Sequence, residues 1–367
     1  MSQLAQDCDA INLSQGFPSF DPDPRLLSLI DHHLRNGANQ YAPMPGVPAL
    51  RNEIAAKVER LYGRNANPDT EVTVCTGATE GLFSAIMAIV RPGDEVIVLD
   101  PAYDSYEPAV TLAGGRTLHV PLNGMANGDF GVDWQRLNDT VNDKTRLIIL
   151  NFPHNPTGAI LSAQDLDQLA DIVRDRALYL LSDEVYEHIV FDGQAHQSLL
   201  RHDELWERSM VLSSFGKTCH ATGWKVGYCV APAQLSAEFR KIHQFTCFSV
   251  VTPIQYALAD FMREQPEHYH GLSSFYENKR DYFADLLEDS SLTLRPAQST
   301  FFQIVDYSAL SQESDADFAI RLTKEIGVAS IPISVFCETP PTGHFLRFCF
   351  AKDDATLAEA AGRLCKL

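Results

Sequence analysis

The chain has 367 residues, 45% of them hydrophobic and 21% charged, a globular composition too long for one simple core and suited to a large domain plus a smaller one. Its 48 acidic side chains outnumber 29 basic ones, giving a formal net charge of -19, which repels nucleic-acid phosphates and anionic membrane surfaces and excludes both as partners. Any anionic ligand must therefore be held by local cations, not by the overall field.

Short β-rich runs are expected at 71–75, 95–99, 117–121, 147–151, 178–182, 210–213 and 227–230, with helix-like stretches such as 80–90 and 163–174 between them. This alternation predicts an α/β fold with a mostly parallel sheet wrapped by helices. After Thr252-Pro253-Ile254-Gln255 the pattern turns to long helices and then short strands near 300–305 and 345–349. We expect a large domain over 31–265 and a smaller α+β domain from 1–30 and 266–367. The eight cysteines are scattered, without a Cys-x-x-Cys pair or metal-type spacing with histidine. They read as reduced thiols of a cytoplasmic protein with no metal site. No apolar run approaches the roughly 18 residues of a membrane span.

Several polar residues stand where strands end. Thr76-Gly77-Ala78-Thr79-Glu80 follows a strand and opens a helix, a place where free backbone amides attract an anion; it also suits an ordinary strand–helix turn. Glu80 would repel a phosphate there unless it points away. Tyr103 follows Asp100-Pro101 and suits either a ring-stacking face or the core, while Tyr106 and Phe17 read first as packing. Asp183 ends an apolar strand, where burial of its charge needs a cation, or else it caps a helix starting at Glu184. Lys217 follows Met210-Val211-Leu212 at a strand's carboxyl end. Desolvation there lowers its pKa and exposes the neutral amine that forms a Schiff base. Ser214 and Lys225 are candidate phosphate contacts beside it. Arg347, within Phe345-Leu346-Arg347-Phe348, needs a carboxylate, from a ligand or from a structural salt bridge.

Taken together, Ser214-Phe215-Gly216-Lys217 with Thr222-Gly223-Trp224-Lys225-Val226-Gly227, Asn151-Phe152-Pro153-His154-Asn155-Pro156, Ser182-Asp183-Glu184-Val185-Tyr186, Asn12-Leu13-Ser14-Gln15-Gly16-Phe17-Pro18 and the Arg347 strand resemble the class I/II, fold-type I aminotransferases that depend on pyridoxal 5'-phosphate. The resemblance spans nearly the whole chain and implies a seven-stranded sheet in the large domain. It implies that Lys217 carries the cofactor, that Asp183 pairs with its ring nitrogen, and that Asn155 and Tyr186 bind its phenolic oxygen. Tyr103 would stack on the ring, and Ala78, Thr79, Ser214 and Lys225 would hold the phosphate. Arg347 would take the substrate carboxylate, with Gly16, Phe17 and Asn155 on the substrate side. Tyr41 would reach the phosphate in the partner's site of a homodimer with shared active sites. Many relatives have arginine where this chain has Lys225.

Within the family, Asn39-Gln40-Tyr41-Ala42-Pro43-Met44-Pro45-Gly46 and His243-Gln244 with Phe248-Ser249-Val250 look most like the methionine aminotransferase group, followed by the kynurenine/glutamine group. The expected reaction is ping-pong transfer of an amino group from methionine, or an aromatic or glutamine-like amino acid, to a 2-oxo acid. A pocket from Phe17, Tyr103, Phe248 and the 331–336 segment is expected to be apolar and suited to a thioether. A β-lyase acting on cysteine conjugates or cystathionine, or a kynurenine–oxoglutarate aminotransferase, is the alternative activity.

Overall fold

The computed structural model describes residues 1–295 and 297–367. Its main sheet uses β2 (Val72–Cys75), β3 (Glu95–Asp100), β4 (Arg116–Pro121), β5 (Thr145–Asn151), β6 (Tyr179–Asp183), β7 (Ser209–Ser214) and β8 (Gly227–Val230); β1 (Ile11–Asn12) lies outside it. The order across the sheet is β2-β8-β7-β6-β5-β3-β4. β8 alone runs against its neighbours, and the other pairs from β7 to β4 are parallel. The mostly parallel seven-stranded sheet expected from the alternating pattern is therefore present.

These strands are apolar on both faces because helices cover both. Ile97, Leu99, Ile148, Leu150, Leu180 and Val211 face one buried cluster, and Val96, Val98, Ile149, Leu181, Met210 and Leu212 face the other. Against the first pack helices such as Pro48–Tyr62, Ala163–Val173 and Thr252–Glu264; against the second, Gly77–Ile89 and Ala233–Thr246. The Ala163–Val173 helix starts with a capping box, Ser162 and Asp165 each bonding the other's backbone amide, which removes two orphan donors at its head.

A second, antiparallel sheet contains β9 (Thr293–Arg295), β10 (Phe302–Asp306), β12 (Ile331–Pro332) and β13 (Phe345–Cys349), in the order β12-β13-β10-β9; β11 (Val328–Ala329) instead pairs in parallel with β1. Its core is rich in aromatics, with Tyr276, Phe283, Phe302, Phe348 and Phe350 buried together. The amino-terminal segment continues from β1 alongside β13, where the Cys349 amide donates to the Leu13 carbonyl at 2.8 Å. The helix Pro24–Arg35 buries Leu26 and Leu29 in the first cluster of the large sheet.

Strand register positions the polar residues. Asn151 stands opposite Asp183, Asp183 opposite Leu212, and Ser214 opposite Gly227, so the carboxyl ends of β5, β6 and β7 present them along one edge. Open α/β sheets bind ligands at such an edge. Among the described residues no helix is long and apolar enough to cross a membrane.

Candidate active site

One cleft lies at this edge, and Ala78, Thr79, Tyr103, Asn155, Asp183, Tyr186, Ser214, Lys217 and Lys225 all line it. Lys217 is carried by the short helix Phe215–Thr218 that follows β7. Its amine donates to the Gly16 carbonyl at 2.9 Å and stands 5.5 Å from the ring centres of both Tyr186 and Phe301. Burial lowers its pKa to about 8; Arg347 pushes the same way, against the opposite pull of Cys349 and Asp183.

Asp183 is the last residue of β6, and residues 185–188 after it form turns, not a helix, so the helix-cap alternative does not form. Its carboxylate accepts from the Tyr106 hydroxyl at 2.7 Å and from the Val185 amide at 3.4 Å. Burial nevertheless raises its pKa to about 6, and those two bonds act in the opposite direction. Burial also raises the Tyr186 phenol, with Arg347 opposing. Lys217 and Asp183 are thus both pushed toward neutrality, and a cation placed beside Asp183 would favour its carboxylate form.

Two residues that sequence reading did not assign complete this wall. Tyr106, read as packing, is the donor to Asp183, and a buried phenol requires such a partner. Asn151 bonds the Asp183 carbonyl through Nδ2 at 3.0 Å and accepts the Asn155 amide through Oδ1 at 3.1 Å. A polar side chain ending the apolar run 147–150 was the available signal.

One end of the cleft is the head of helix Gly77–Ile89, which no side chain caps. Gly77 has φ +70°, a left-handed backbone that favours glycine, and a Cβ there would press on the end of the Lys225 side chain at 3.1 Å from Cε. Lys225 Nζ reaches Thr79 Oγ1 at 3.4 Å. The uncapped amides, two hydroxyls and a lysine form a donor set suited to a phosphate. Glu80 is turned away: its oxygens accept from the Thr76 amide at 3.1 Å and the Ser84 hydroxyl at 2.6 Å, and meet His243 Nδ1 at 3.0 and 3.2 Å.

Arg347 lies on β13, 5% exposed. One terminal nitrogen donates to Asn155 Oδ1 at 2.6 Å and the other to the Ser14 carbonyl at 3.0 Å, while the guanidinium lies 4.1 Å from the Phe302 ring centre. No carboxylate pairs with it among the described residues, so the structural salt bridge is absent. Its Nε is buried without a partner, an orphan donor that a ligand carboxylate would satisfy.

Besides Arg347, three expected residues are not among those lining the cleft: Gly16, Phe17 and Tyr41. Gly16 meets Lys217 through its carbonyl alone. Phe17 is 44% exposed, its ring 4.7 Å from Lys352 Nζ. Tyr41 is 84% exposed and lies outside the cleft, in a surface groove with Asn39, Gln40 and residues 249–253, its ring 5.5 Å from that of Phe248.

The fold is that of the fold-type I transferases. A methionine aminotransferase from Escherichia coli (strain K12) is 52% identical over the whole chain and 94% of its own length. The crystal structure of YbdL from Escherichia coli, reported with a methionine aminotransferase function, superposes with a TM-score of 0.97 at 52% identity, covering 100% of this chain and 96% of that one. N-succinyldiaminopimelate aminotransferase from Mycobacterium tuberculosis gives a TM-score of 0.95 at 38% identity, over 100% and 95% of the two chains. A kynurenine–oxoglutarate transaminase from Dictyostelium discoideum is 36% identical across the whole chain and 92% of its own length. The aminotransferase class I and II model matches residues 9–364. The chain belongs to the aminotransferase class I and II family and is an aminotransferase.

Proposed function

We propose that this aminotransferase uses pyridoxal 5'-phosphate to move the amino group of methionine to a 2-oxo acid, with aromatic and glutamine-like amino acids as secondary donors. The observation that carries the reading is the pairing of a half-buried lysine amine, lowered to about 8, with a buried arginine whose Nε lacks a partner. One group suits a carbonyl and the other a carboxylate.

Asp183 would hold the cofactor's ring nitrogen, Asn155 and Tyr186 its phenolic oxygen, and Tyr103 one ring face. Ala78, Thr79, Ser214 and Lys225 would hold the phosphate. When bound, the cofactor supplies an electron sink for charge developing at the substrate α-carbon. Lys217 Nζ takes the proton from that carbon, and its lowered pKa suits a base near neutral pH. Arg347 orients the carboxylate by a two-pronged contact, with Asn155 shared between substrate and cofactor. Release of the first oxo acid before the second binds makes the kinetics ping-pong.

Methionine is favoured by the likeness to the Escherichia coli enzyme and by the surroundings of Arg347. Phe302 and Phe336 lie 4.1 and 5.4 Å from its guanidinium, and the cations lining the cleft are Lys217 and Lys225. A dicarboxylate would leave its distal charge without an arginine, a larger penalty than a mismatched methylene. The test is kcat/KM for methionine against aspartate with one fixed oxo-acid acceptor. We expect a ratio well above one, and a ratio below one overturns the donor assignment.

We assign 31–265 to cofactor binding and 1–30 with 266–367 to a smaller domain carrying Arg347. The helix Pro24–Arg35 straddles that division, because Leu26 and Leu29 pack on the large-sheet side. The exposed position of Tyr41 supports a homodimer in which it completes the partner's site.

A further inference from the structure

Glu80 sits in the first turn of the helix whose uncapped head forms the anion seat, where an uncompensated carboxylate would oppose the phosphate binding proposed above. His243, fully buried on the helix Ala233–Thr246, faces two acceptors. Nδ1 meets the Glu80 carboxylate at 3.0 and 3.2 Å, and Nε2 meets the Met44 carbonyl at 3.1 Å. A neutral imidazole carries one N–H and cannot satisfy both contacts against an ionised Glu80. The pair must therefore hold one additional proton, on His243 or on Glu80, and in either form Glu80 and His243 together carry no net charge.

The Met44 carbonyl belongs to the segment bearing Tyr41, which is held by further bonds: Ser249 Oγ donates to the Ala42 carbonyl at 3.1 Å, and Thr252 Oγ1 to the Gln40 carbonyl at 2.6 Å. At the same helix end the Cys247 and Phe248 amides donate to the His243 carbonyl at 3.0 and 2.9 Å, and Cys247 Sγ meets Thr76 Oγ1 at 2.6 Å. The phosphate seat and the Tyr41 segment thus share one buried histidine.

We propose that His243 is a positioning residue for the cofactor: it cancels the Glu80 charge beneath the phosphate seat and fixes Met44, so that the Gly77–Thr79 turn retains its attraction for an anion. This rests on the pyridoxal phosphate reading. His243→Gln leaves a bare carboxylate at the seat and should weaken binding of pyridoxal phosphate to the apoprotein by at least about tenfold, roughly 1.4 kcal/mol. In Glu80→Gln the amide NH2 placed at the Oε1 position can donate to a neutral His243 Nδ1 and to a Ser84 hydroxyl turned to accept, while the amide oxygen still accepts from Thr76, so this variant should bind within about twofold of wild type. The double variant, with the carboxylate removed, should recover most of the affinity lost in His243→Gln.

Binding is measured by fluorescence titration of apoprotein, with inorganic phosphate as competitor and thermal melting as a check on folding. A double variant no better than His243→Gln overturns the proposal, as does a Glu80→Gln protein as weak as His243→Gln. If His243→Gln does not fold, folding of the double variant supports the charge role and its failure to fold overturns it. Wild-type apoprotein that ignores pyridoxal phosphate would refute the cofactor reading itself, an outcome separate from these.

Discussion

Burial brings the Lys217 ammonium down to about 8, so roughly a tenth of it is neutral at pH 7, compared with well under a thousandth for an ordinary lysine. A lysine lowered in this way gains its reactive form as pH rises through about 8. Uptake of pyridoxal phosphate by the apoprotein should therefore accelerate with a midpoint near pH 8. A midpoint near 10.5 would show that the amine is not desolvated. Borohydride treatment of the loaded protein should fix the cofactor on the peptide containing Lys217, and Lys217→Ala should lose that label. Asp183 and Tyr106 form a second residue-level test. Removing a buried charge's partner typically costs about 3–5 kcal/mol, so Asp183→Ala should lower kcat/KM by roughly 10²–10⁴ with a much smaller loss of stability. Tyr106→Phe removes one neutral donor to a carboxylate, worth about 1–3 kcal/mol, and its effect should be the smaller. Equal effects of the two would mean that Asp183 serves mainly to bind Tyr106.

Between elements, the ends of β6, β7 and β8 are tied behind the cleft by Glu187. It accepts Lys57 Nζ at 2.7 Å, Ser213 Oγ at 2.5 Å and the Tyr228 hydroxyl at 2.8 Å, and also the Tyr62 hydroxyl. Burial alone would raise its pKa, but the Lys57 charge and these donors hold it well below the ordinary carboxylate range. A carboxyl with a depressed folded pKa contributes stability above its unfolded value, and the contribution fades as pH falls below about 4.5. Lys57→Met should thus cost about 3–5 kcal/mol at pH 7. That penalty should shrink on acidification toward pH 4, as the unpaired Glu187 takes up a proton. Urea midpoints at the two pH values measure it, and a penalty independent of pH would place the loss in packing. This network was illegible in the sequence, because Lys57 and Glu187 are 130 residues apart and each resembles a surface charge in its own helix or turn. The strands themselves were legible, since doubly covered strands are apolar throughout. So were Lys217, Asp183 and Asn155, each a polar residue interrupting or following such a run. Tyr106 and the Glu80–His243 pair were not, because a tyrosine in a helix and a histidine at helical spacing look like packing until their partners are known.

For the whole molecule, the exposed Tyr41 makes assembly the central test. Mixing inactive Lys217→Ala and Tyr41→Phe proteins should restore part of the activity if each site draws Tyr41 from the other chain, since one of the two sites in a mixed dimer is then intact. No recovery after verified subunit exchange would restrict Tyr41 to its own chain. The expected donor preference belongs to this scale too, because it depends on residues from both ends of the chain converging at Arg347.

That convergence also sets an order of events during synthesis. Arg347 bonds the carbonyl of Ser14, and β1 finds its partner only at Val328–Ala329. The first strand to leave the ribosome must therefore wait for almost the last. The residues we assign to the phosphate from within one chain, Ala78 to Lys225, are made long before Arg347. On the proposed assignment, a growing chain would accordingly gain its seat for the cofactor's phosphate before its means of recognising an amino acid.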